Sequence, residues 1–307
     1  MKPKLTRQEI RAALTGPFGS IRTPFKRDGG VDYDGLRNHI ERNIQNGAGT
    51  ALLTAGDSHF HILSDSEIAE VTGVTVEQTA GRALVVAADR RHSTSRAVDF
   101  ARYARGVGAD VLMVLPPDWA ASCTARTLVE HYGAVAREIP VMLVTNLFIP
   151  RGSDFGLETL RVLVEEVAGI VAIKNDFLGQ FARRMCLLVH EHWAVLSGGH
   201  KQNHLDLHPD GCDGYMSTYI GFRPRIARRY WSAIQEGNLA QAKEVIETCD
   251  MPLFDYLAKL QGGFDAGLHG MLEIYGIAGR WRRKPHYSLT DREMEALRAH
   301  LPGLGVL

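Results

Sequence analysis

Short apolar runs recur along the chain, and each run is followed by a longer segment in which apolar residues repeat with helical spacing. Most of the runs are continuously apolar rather than alternating, which is typical of parallel strands that are covered on both faces. The eight predicted strands span residues 19–23, 50–54, 83–87, 111–115, 141–145, 170–174, 194–197 and 214–217.

Capping residues and an apolar repeat predict a helix after each strand. Asp32, for example, precedes a segment that places Leu36, Ile40 and Ile44 on one face. The eight predicted helices cover residues 33–45, 65–78, 94–106, 124–137, 157–167, 180–190, 201–208 and 224–235. Strands that alternate with helices in this way predict an α/β fold, the (β/α)8 TIM barrel.

Three further helices are predicted after the barrel, at residues 239–259, 264–276 and 290–300. No linker rich in proline or serine precedes them, so we expect them to pack against the barrel. The predicted organisation is an N-terminal segment (1–18), a barrel (19–237) and a C-terminal helical extension (238–307).

Composition and charge argue against several classes of function. The 35 lysine and arginine residues balance 35 acidic residues, and no stretch is basic enough to predict nucleic-acid binding. No apolar run approaches the ~20 residues that span a bilayer, and the first residues lack the apolar core of a signal peptide. We therefore predict a cytoplasmic protein without a membrane partner. The four cysteines lie far apart and predict neither a disulfide framework nor a zinc site.

Lysine is scarce in this chain, and of its eight lysines only Lys174 ends an apolar strand. TIM-barrel active sites lie at the carboxyl ends of the strands. An amine that is partly desolvated there favours its neutral form, which can attack a carbonyl carbon. The alternative is a lysine whose ammonium group reaches solvent or pairs with Asp176.

The other strand ends carry mostly hydroxyl and glycine residues. Hydroxyls and backbone N–H groups that converge at one mouth suit a small carboxylate, although the same residue types populate ordinary loops. The candidate substrate-binding residues from this pattern are Thr54, Ala55, Gly56, Ser58, Asn146, Gly198 and Ser217.

Several short motifs follow one another along the predicted barrel. They are Gly19-Ser20-Ile21-Arg22-Thr23-Pro24-Phe25, Gly56-Asp57-Ser58, Gly108-Ala109-Asp110 before Pro116-Pro117, Gly169-Ile170-Val171-Ala172-Ile173-Lys174, and Leu196-Ser197-Gly198. In order and spacing these motifs resemble the dihydrodipicolinate synthase/N-acetylneuraminate lyase family. The resemblance extends from Gly19 to at least Tyr219.

The resemblance implies a lyase, either an aldolase or a dehydratase, that acts on pyruvate or a sugar-acid-type 2-oxo acid. Lys174 matches the Schiff-base lysine, so the family chemistry implies a covalent intermediate and no metal or organic cofactor. It also implies a homo-oligomer, a tetramer or a dimer. Thr54 and Ala55 match the pair that holds the substrate carboxylate, although only Thr54 retains a hydroxyl group.

The chain departs from the family at its proton shuttle. The tyrosine at the end of the fifth strand is here Thr145, and the tyrosine after the fourth strand is replaced by Asp118-Trp119. A threonine hydroxyl is a weak acid-base group in place of a phenol. His59 and His61, in the loop beside the carboxylate-binding turn, are candidates to carry protons, because imidazole titrates near neutrality. Either histidine could instead lie at the surface or at a subunit contact.

The leading hypothesis is a Schiff-base lyase with Lys174, His59, His61 and Thr145 as catalytic residues. Arg151 resembles an arginine that meets a second substrate carboxylate in some members, so it joins the predicted binding residues. The alternative is a family member that binds a 2-oxo acid without the usual turnover. A metal-dependent barrel enzyme is a third hypothesis, disfavoured because the strand ends supply few Asp, Glu or His ligands.

Overall fold

The computed structural model describes residues 5–90 and 92–306 and confirms the predicted TIM barrel. Eight parallel strands follow one another around a closed barrel, and the last strand pairs with the first. The strands are β1 (Gly16–Ser20), β2 (Thr50–Leu52), β3 (Leu84–Ala88), β4 (Val111–Met113), β5 (Val141–Val144), β6 (Ile170–Asn175), β7 (Ala194–Ser197) and β8 (Gly214–Met216).

Helices surround this barrel and continue beyond it. They are α1 (Arg7–Leu14), α2 (Tyr33–Gln45), α3 (Asp65–Thr79), α4 (Thr94–Val107), α5 (Ala125–Ala136), α6 (Phe148–Arg151), α7 (Ser153–Glu166), α8 (Gly179–Val189), α9 (His200–Leu207), α10 (Tyr219–Phe222), α11 (Pro224–Gln235), α12 (Leu239–Val245), α13 (Met251–Ala258), α14 (Gly263–Ile274) and α15 (Asp291–His300). None of the described helices is both long and apolar enough to cross a membrane.

Three of the differences from the sequence-based prediction concern β1, the N-terminal segment and the first helix of the C-terminal extension. The first strand begins at Gly16 and ends at Ser20, because Gly16–Phe18 pair with β8 to close the barrel. Helix α1 was not predicted; Thr6 caps it through a reciprocal pair of hydrogen bonds with Glu9. The helix predicted at 239–259 is interrupted by a π-helical turn at Ile246–Asp250.

The C-terminal helices pack against the barrel near β8. Their buried apolar residues, among them Leu253 and Leu268, form one cluster with Tyr215 of β8 and Tyr230 of α11. This packing brings α14 to the open end of the barrel, where Phe264 reaches the pocket described below.

Strand β6 positions the predicted nucleophile. Every residue of this strand is buried, and Lys174 is its next-to-last residue. In the barrel register, Lys174 lies between Val144 of β5 and Leu196 of β7. The amine therefore stands at the carboxyl end of the barrel, between two apolar neighbours.

Candidate active site

A pocket opens at the carboxyl ends of the strands. Its volume is about 710 Å³, within the roughly 300–1,000 Å³ of a typical small-molecule site. The predicted site residues that line it are Thr54, Ala55, Gly56, His61, Asn146, Lys174 and Gly198. The structure thus brings predicted residues from four strand ends, those of β2, β5, β6 and β7, together at one cavity.

Lys174 is buried, and its Nζ contacts Oδ1 of Asp176. Gly198 makes this arrangement possible. A Cβ atom at position 198 would lie 2.5 Å from Lys174 Nζ and 2.9 Å from its Cε, and closer still to the Asp176 carboxylate. The N–H of Gly198 donates to the carbonyl of Asn175 at 2.8 Å, which fixes the backbone beside the amine.

The turn after β2 offers hydrogen-bond donors to the pocket. Thr54 Oγ1 accepts the N–H of Asp57 at 2.9 Å, and Ser58 Oγ accepts the N–H of Thr54 at 3.0 Å. Within residues 5–90 and 92–306, no acceptor contacts the N–H groups of Ala55 and Gly56. Both residues line the pocket, so these N–H groups and the Thr54 hydroxyl are available to a carboxylate.

A charged pair lies beside this turn. Arg22 Nη2 is 3.7 Å from Asp57 Oδ1, and the Ser20 hydroxyl donates to Asp57 Oδ2 at 2.6 Å. Burial alone would raise the pKa of Asp57, but the Arg22 guanidinium and the hydrogen bond from Ser20 outweigh burial and lower it. Asp57 is therefore held as a carboxylate that braces the turn.

The two predicted histidines take different positions. His61 lines the pocket, with Nδ1 3.4 Å from the carbonyl of Ala55 and Nε2 3.3 Å from Nε2 of His286. His59 is buried, and its Nε2 lies 2.8 Å from Nε2 of His269. Burial lowers the pKa of His59 to about 4, so this ring is neutral at pH 7. The structure brings His61 to the pocket but not His59.

Two groups of side chains around His59 have ligand atoms within 4.8 Å of one another, as a metal ion would need: His59 with His61 and His286, and His59 with Asp265 and His269. Arg282 argues against a metal, because its Nη2 donates to His286 Nδ1 at 3.1 Å and also contacts Asp265. A neutral imidazole that accepts at Nδ1 carries its proton on Nε2. His286 Nε2 then donates to His61. We interpret the cluster as a hydrogen-bonded chain, and the absence of a cofactor stays a prediction.

Thr145 and Ser58 lie behind the pocket rather than in its lining. Thr145 is fully buried, and its Oγ1 accepts the N–H of Asp176 at 3.2 Å. The Ser58 hydroxyl donates to the carbonyl of Ile21 at 2.6 Å. Both hydroxyls therefore have partners within the protein, and the expectation that they contact substrate gains no support from their positions.

Arg151 and Ser217 also lie outside the pocket lining. Arg151 Nη1 donates to Asp118 Oδ2 at 2.7 Å and to the carbonyl of Cys123 at 2.9 Å, so the loop after β4 already occupies its guanidinium. Ser217 lines a smaller adjoining cavity of about 20 Å³, which shares Arg22 with the main pocket. Neither side chain lines the main pocket, and their contact with substrate stays a prediction.

Among the lining residues that sequence reasoning did not select as site residues are Arg22, Asp176 and Phe264. Arg22 follows the first strand, and Asp176 follows Lys174 by two positions, so both could have been found by inspecting strand ends. Phe264 comes from α14, and no pattern in the sequence indicates that the C-terminal helices reach the pocket.

Residues 13–303 match the family described as the dihydrodipicolinate synthetase family. The chain belongs to this family. One relative, the 4-hydroxy-tetrahydrodipicolinate synthase of Methanococcus maripaludis, is 31% identical over 235 residues, covering 76% of this chain and 79% of the relative. Another, from Streptomyces coelicolor and named a probable 5-dehydro-4-deoxyglucarate dehydratase 1, is 29% identical over 272 residues, covering 84% of each chain.

Solved structures of the family share the fold. The dihydrodipicolinate synthase of Oceanobacillus iheyensis gives a TM-score of 0.84 at 21% identity, covering 98% of this chain and 100% of the other. The N-acetylneuraminate lyase of Fusobacterium nucleatum gives a TM-score of 0.82 at 17% identity, covering 95% of this chain and 99% of the other. Because relatives in the dihydrodipicolinate synthetase family are named a synthase and a dehydratase, the chain is an enzyme of the lyase class.

Proposed function

We propose that the protein is a Schiff-base-forming lyase that acts on pyruvate or a sugar-acid-type 2-oxo acid through Lys174. The observation that carries this proposal is the buried amine of Lys174, which opens into the pocket at the carboxyl end of β6. No other lysine among the described residues lines this pocket. A desolvated amine in a cavity is the arrangement that nucleophilic attack on a carbonyl requires.

The pocket also suits the carboxylate of a 2-oxo acid. The N–H groups of Ala55 and Gly56 and the Thr54 hydroxyl lie beside the cavity that contains the amine. Arg22 adds a guanidinium group to the same lining. With the carboxylate held at the turn, the adjacent C2 ketone is directed towards Lys174 Nζ, and a substrate without a carboxylate lacks this anchor.

The iminium formed at C2 draws electrons away from C3. It permits cleavage or formation of a C3–C4 bond, as in an aldolase, or loss of a C3 proton and a C4 hydroxyl group, as in a dehydratase. The proposal includes both reactions, because one relative described above is named a dehydratase and another a synthase.

Borohydride trapping tests the proposal. The enzyme is incubated with pyruvate and with a panel of sugar-derived 2-oxo acids and then reduced, and its mass is measured by intact-protein mass spectrometry. We expect a covalent adduct in the wild type, none in Lys174→Ala, and an unchanged adduct in Lys243→Ala, which removes an exposed lysine of α12. A wild type that forms no adduct with any 2-oxo acid contradicts the proposal.

Product analysis of the same incubations separates the possible reactions. Release of an aldehyde indicates an aldolase, and loss of water indicates a dehydratase. An adduct without any product indicates the alternative, a family member that binds a 2-oxo acid without turnover. Thr145 is the residue that favours this alternative. It occupies the position of the family's tyrosine, and its hydroxyl already accepts a backbone N–H.

We also propose that the enzyme assembles as a homodimer or homotetramer. Trp119 supports this, because its side chain is 86% exposed and tryptophan is enriched at protein–protein interfaces. Sedimentation of the wild type and of Trp119→Ala measures the assembly. A monomeric wild type contradicts the proposal.

A further inference from the structure

We propose that Asp176 is the catalytic group that moves protons at Lys174, in the role that the family's tyrosine usually fills. This inference rests on the proposed Schiff-base function. It concerns a residue that lines the pocket and touches the reacting nitrogen.

Two contacts and the space left at Gly198 place the Asp176 carboxylate at the amine. Its Oδ1 contacts Lys174 Nζ. Its side chain is 25% exposed and lines the pocket. The backbone N–H of Asp176 donates to Thr145 Oγ1 at 3.2 Å, which ties the start of the loop to the end of β5. The missing side chain of Gly198 leaves the space that the carboxylate occupies. Thr145 thus acts as a positioning residue for Asp176.

Other titratable groups near the pocket are less suitable. Both ring nitrogens of His61 have partners, the carbonyl of Ala55 and Nε2 of His286. His200 Nδ1 donates to the carbonyl of Met216 at 3.2 Å, because a carbonyl oxygen only accepts, so Nδ1 carries the proton. Within residues 5–90 and 92–306, Asp176 is the titratable group that contacts Lys174 Nζ.

Asp176 alone can carry every proton transfer in the formation of the iminium. Its carboxylate takes a proton from the Lys174 ammonium, and the freed lone pair forms the N–C2 bond while the carbonyl oxygen becomes an alkoxide. Asp176 gives its proton to this alkoxide and takes one from the protonated nitrogen, which leaves a neutral carbinolamine. It then donates that proton to the departing hydroxyl, and water, the iminium and an ionised Asp176 result.

The last step leaves a carboxylate beside the iminium at the moment when a base is needed. C3 of the substrate is two bonds from Nζ, and a group in contact with Nζ therefore lies near the C3 hydrogens. Asp176 takes a C3 proton, the C3–H electrons form the C2–C3 double bond of the enamine, and the C=N electrons return to nitrogen. Proton exchange at C3 of pyruvate reports this step without any second substrate.

The experiment measures two quantities in the full-length enzyme with pyruvate. Borohydride trapping gives the adduct, and NMR in D₂O gives the rate at which the methyl hydrogens exchange. For Asp176→Asn we expect an adduct at the end of a long incubation and an exchange rate about 10²–10⁴-fold lower. Asp99→Asn, which changes an exposed carboxylate of α4, serves as the matched control, and we expect wild-type exchange from it.

His61→Gln tests the competing assignment, and we expect less than a tenfold loss of exchange. Exchange at the wild-type rate in Asp176→Asn overturns the inference, as does a larger loss in His61→Gln than in Asp176→Asn. If Asp176→Asn forms no adduct, exchange by Asp176→Ala is measured with added formate. Recovery with formate supports the inference, and no recovery overturns it. A wild type without an adduct refutes the proposed function itself, and this inference with it.

Discussion

Gly198→Ala perturbs Lys174 and its partner Asp176 by steric contact, without changing either side chain. The added Cβ would lie 2.5 Å from Lys174 Nζ and 2.9 Å from its Cε. Non-bonded heavy atoms at rest lie about 3.5 Å apart or more, so the amine has to move by roughly 1 Å. A displacement on the order of 1 Å from a productive geometry lowers a rate roughly 100-fold.

The assay is the initial rate at which borohydride traps pyruvate on the enzyme, together with the thermal unfolding midpoint. We expect adduct formation to slow roughly 100-fold in Gly198→Ala, while the enzyme remains folded, because the backbone at 198 is not in the left-handed region. Gly106→Ala is the control; it lies in α4, where a Cβ would meet nothing within 4 Å, and we expect wild-type trapping. A Gly198→Ala enzyme that forms the adduct at the wild-type rate refutes the steric account of this site.

Two further predictions concern stability. Lys201 Nζ and Asp250 Oδ1 form an ion pair at 2.7 Å with both side chains buried; Lys201→Met leaves an unpaired buried acid and should lower the free energy of unfolding by about 3–5 kcal/mol. Lys201→Met combined with Asp250→Leu should recover most of this loss in urea titrations, and an equal loss in both would contradict the account. Burial lowers the pKa of His39 to about 4, below ~6.5 in the unfolded chain. The unfolded state therefore binds the proton first, and His39 costs about 2 kcal/mol of stability at pH 5 that it does not cost above pH 7. Between pH 7.5 and pH 5, the free energy of unfolding should therefore fall less in His39→Gln than in the wild type. An equal fall in both proteins would contradict the assignment.

The fold could be predicted in large part from local pattern. Each barrel strand is covered on both faces, so the continuous apolar runs marked the strands directly. Helix α2 was predicted with its observed bounds, because Asp32 caps it at one end. The start of β1 was missed because Gly16 and Pro17 resemble a turn, and only pairing with β8, distant in sequence, makes them a strand.

The candidate site was predictable only where a strand end determines it. Lys174 and Gly198 were identified from the ends of β6 and β7, and both line the pocket. His59 and His61 could not be distinguished by sequence, because the turn at Phe60–Ile62 decides which ring is buried and which faces the cavity. Asp176 was visible only as a partner for Lys174, since its place at the amine depends on contacts with β5 and β7.

The central claim is that Lys174 forms the covalent bond with substrate. The most direct measurement is tandem mass spectrometry of peptides from the enzyme reduced with borohydride in the presence of a 2-oxo acid. The account predicts that the added mass lies on residue 174 and on no other lysine. An adduct located on a different lysine, with residue 174 unmodified, would contradict it.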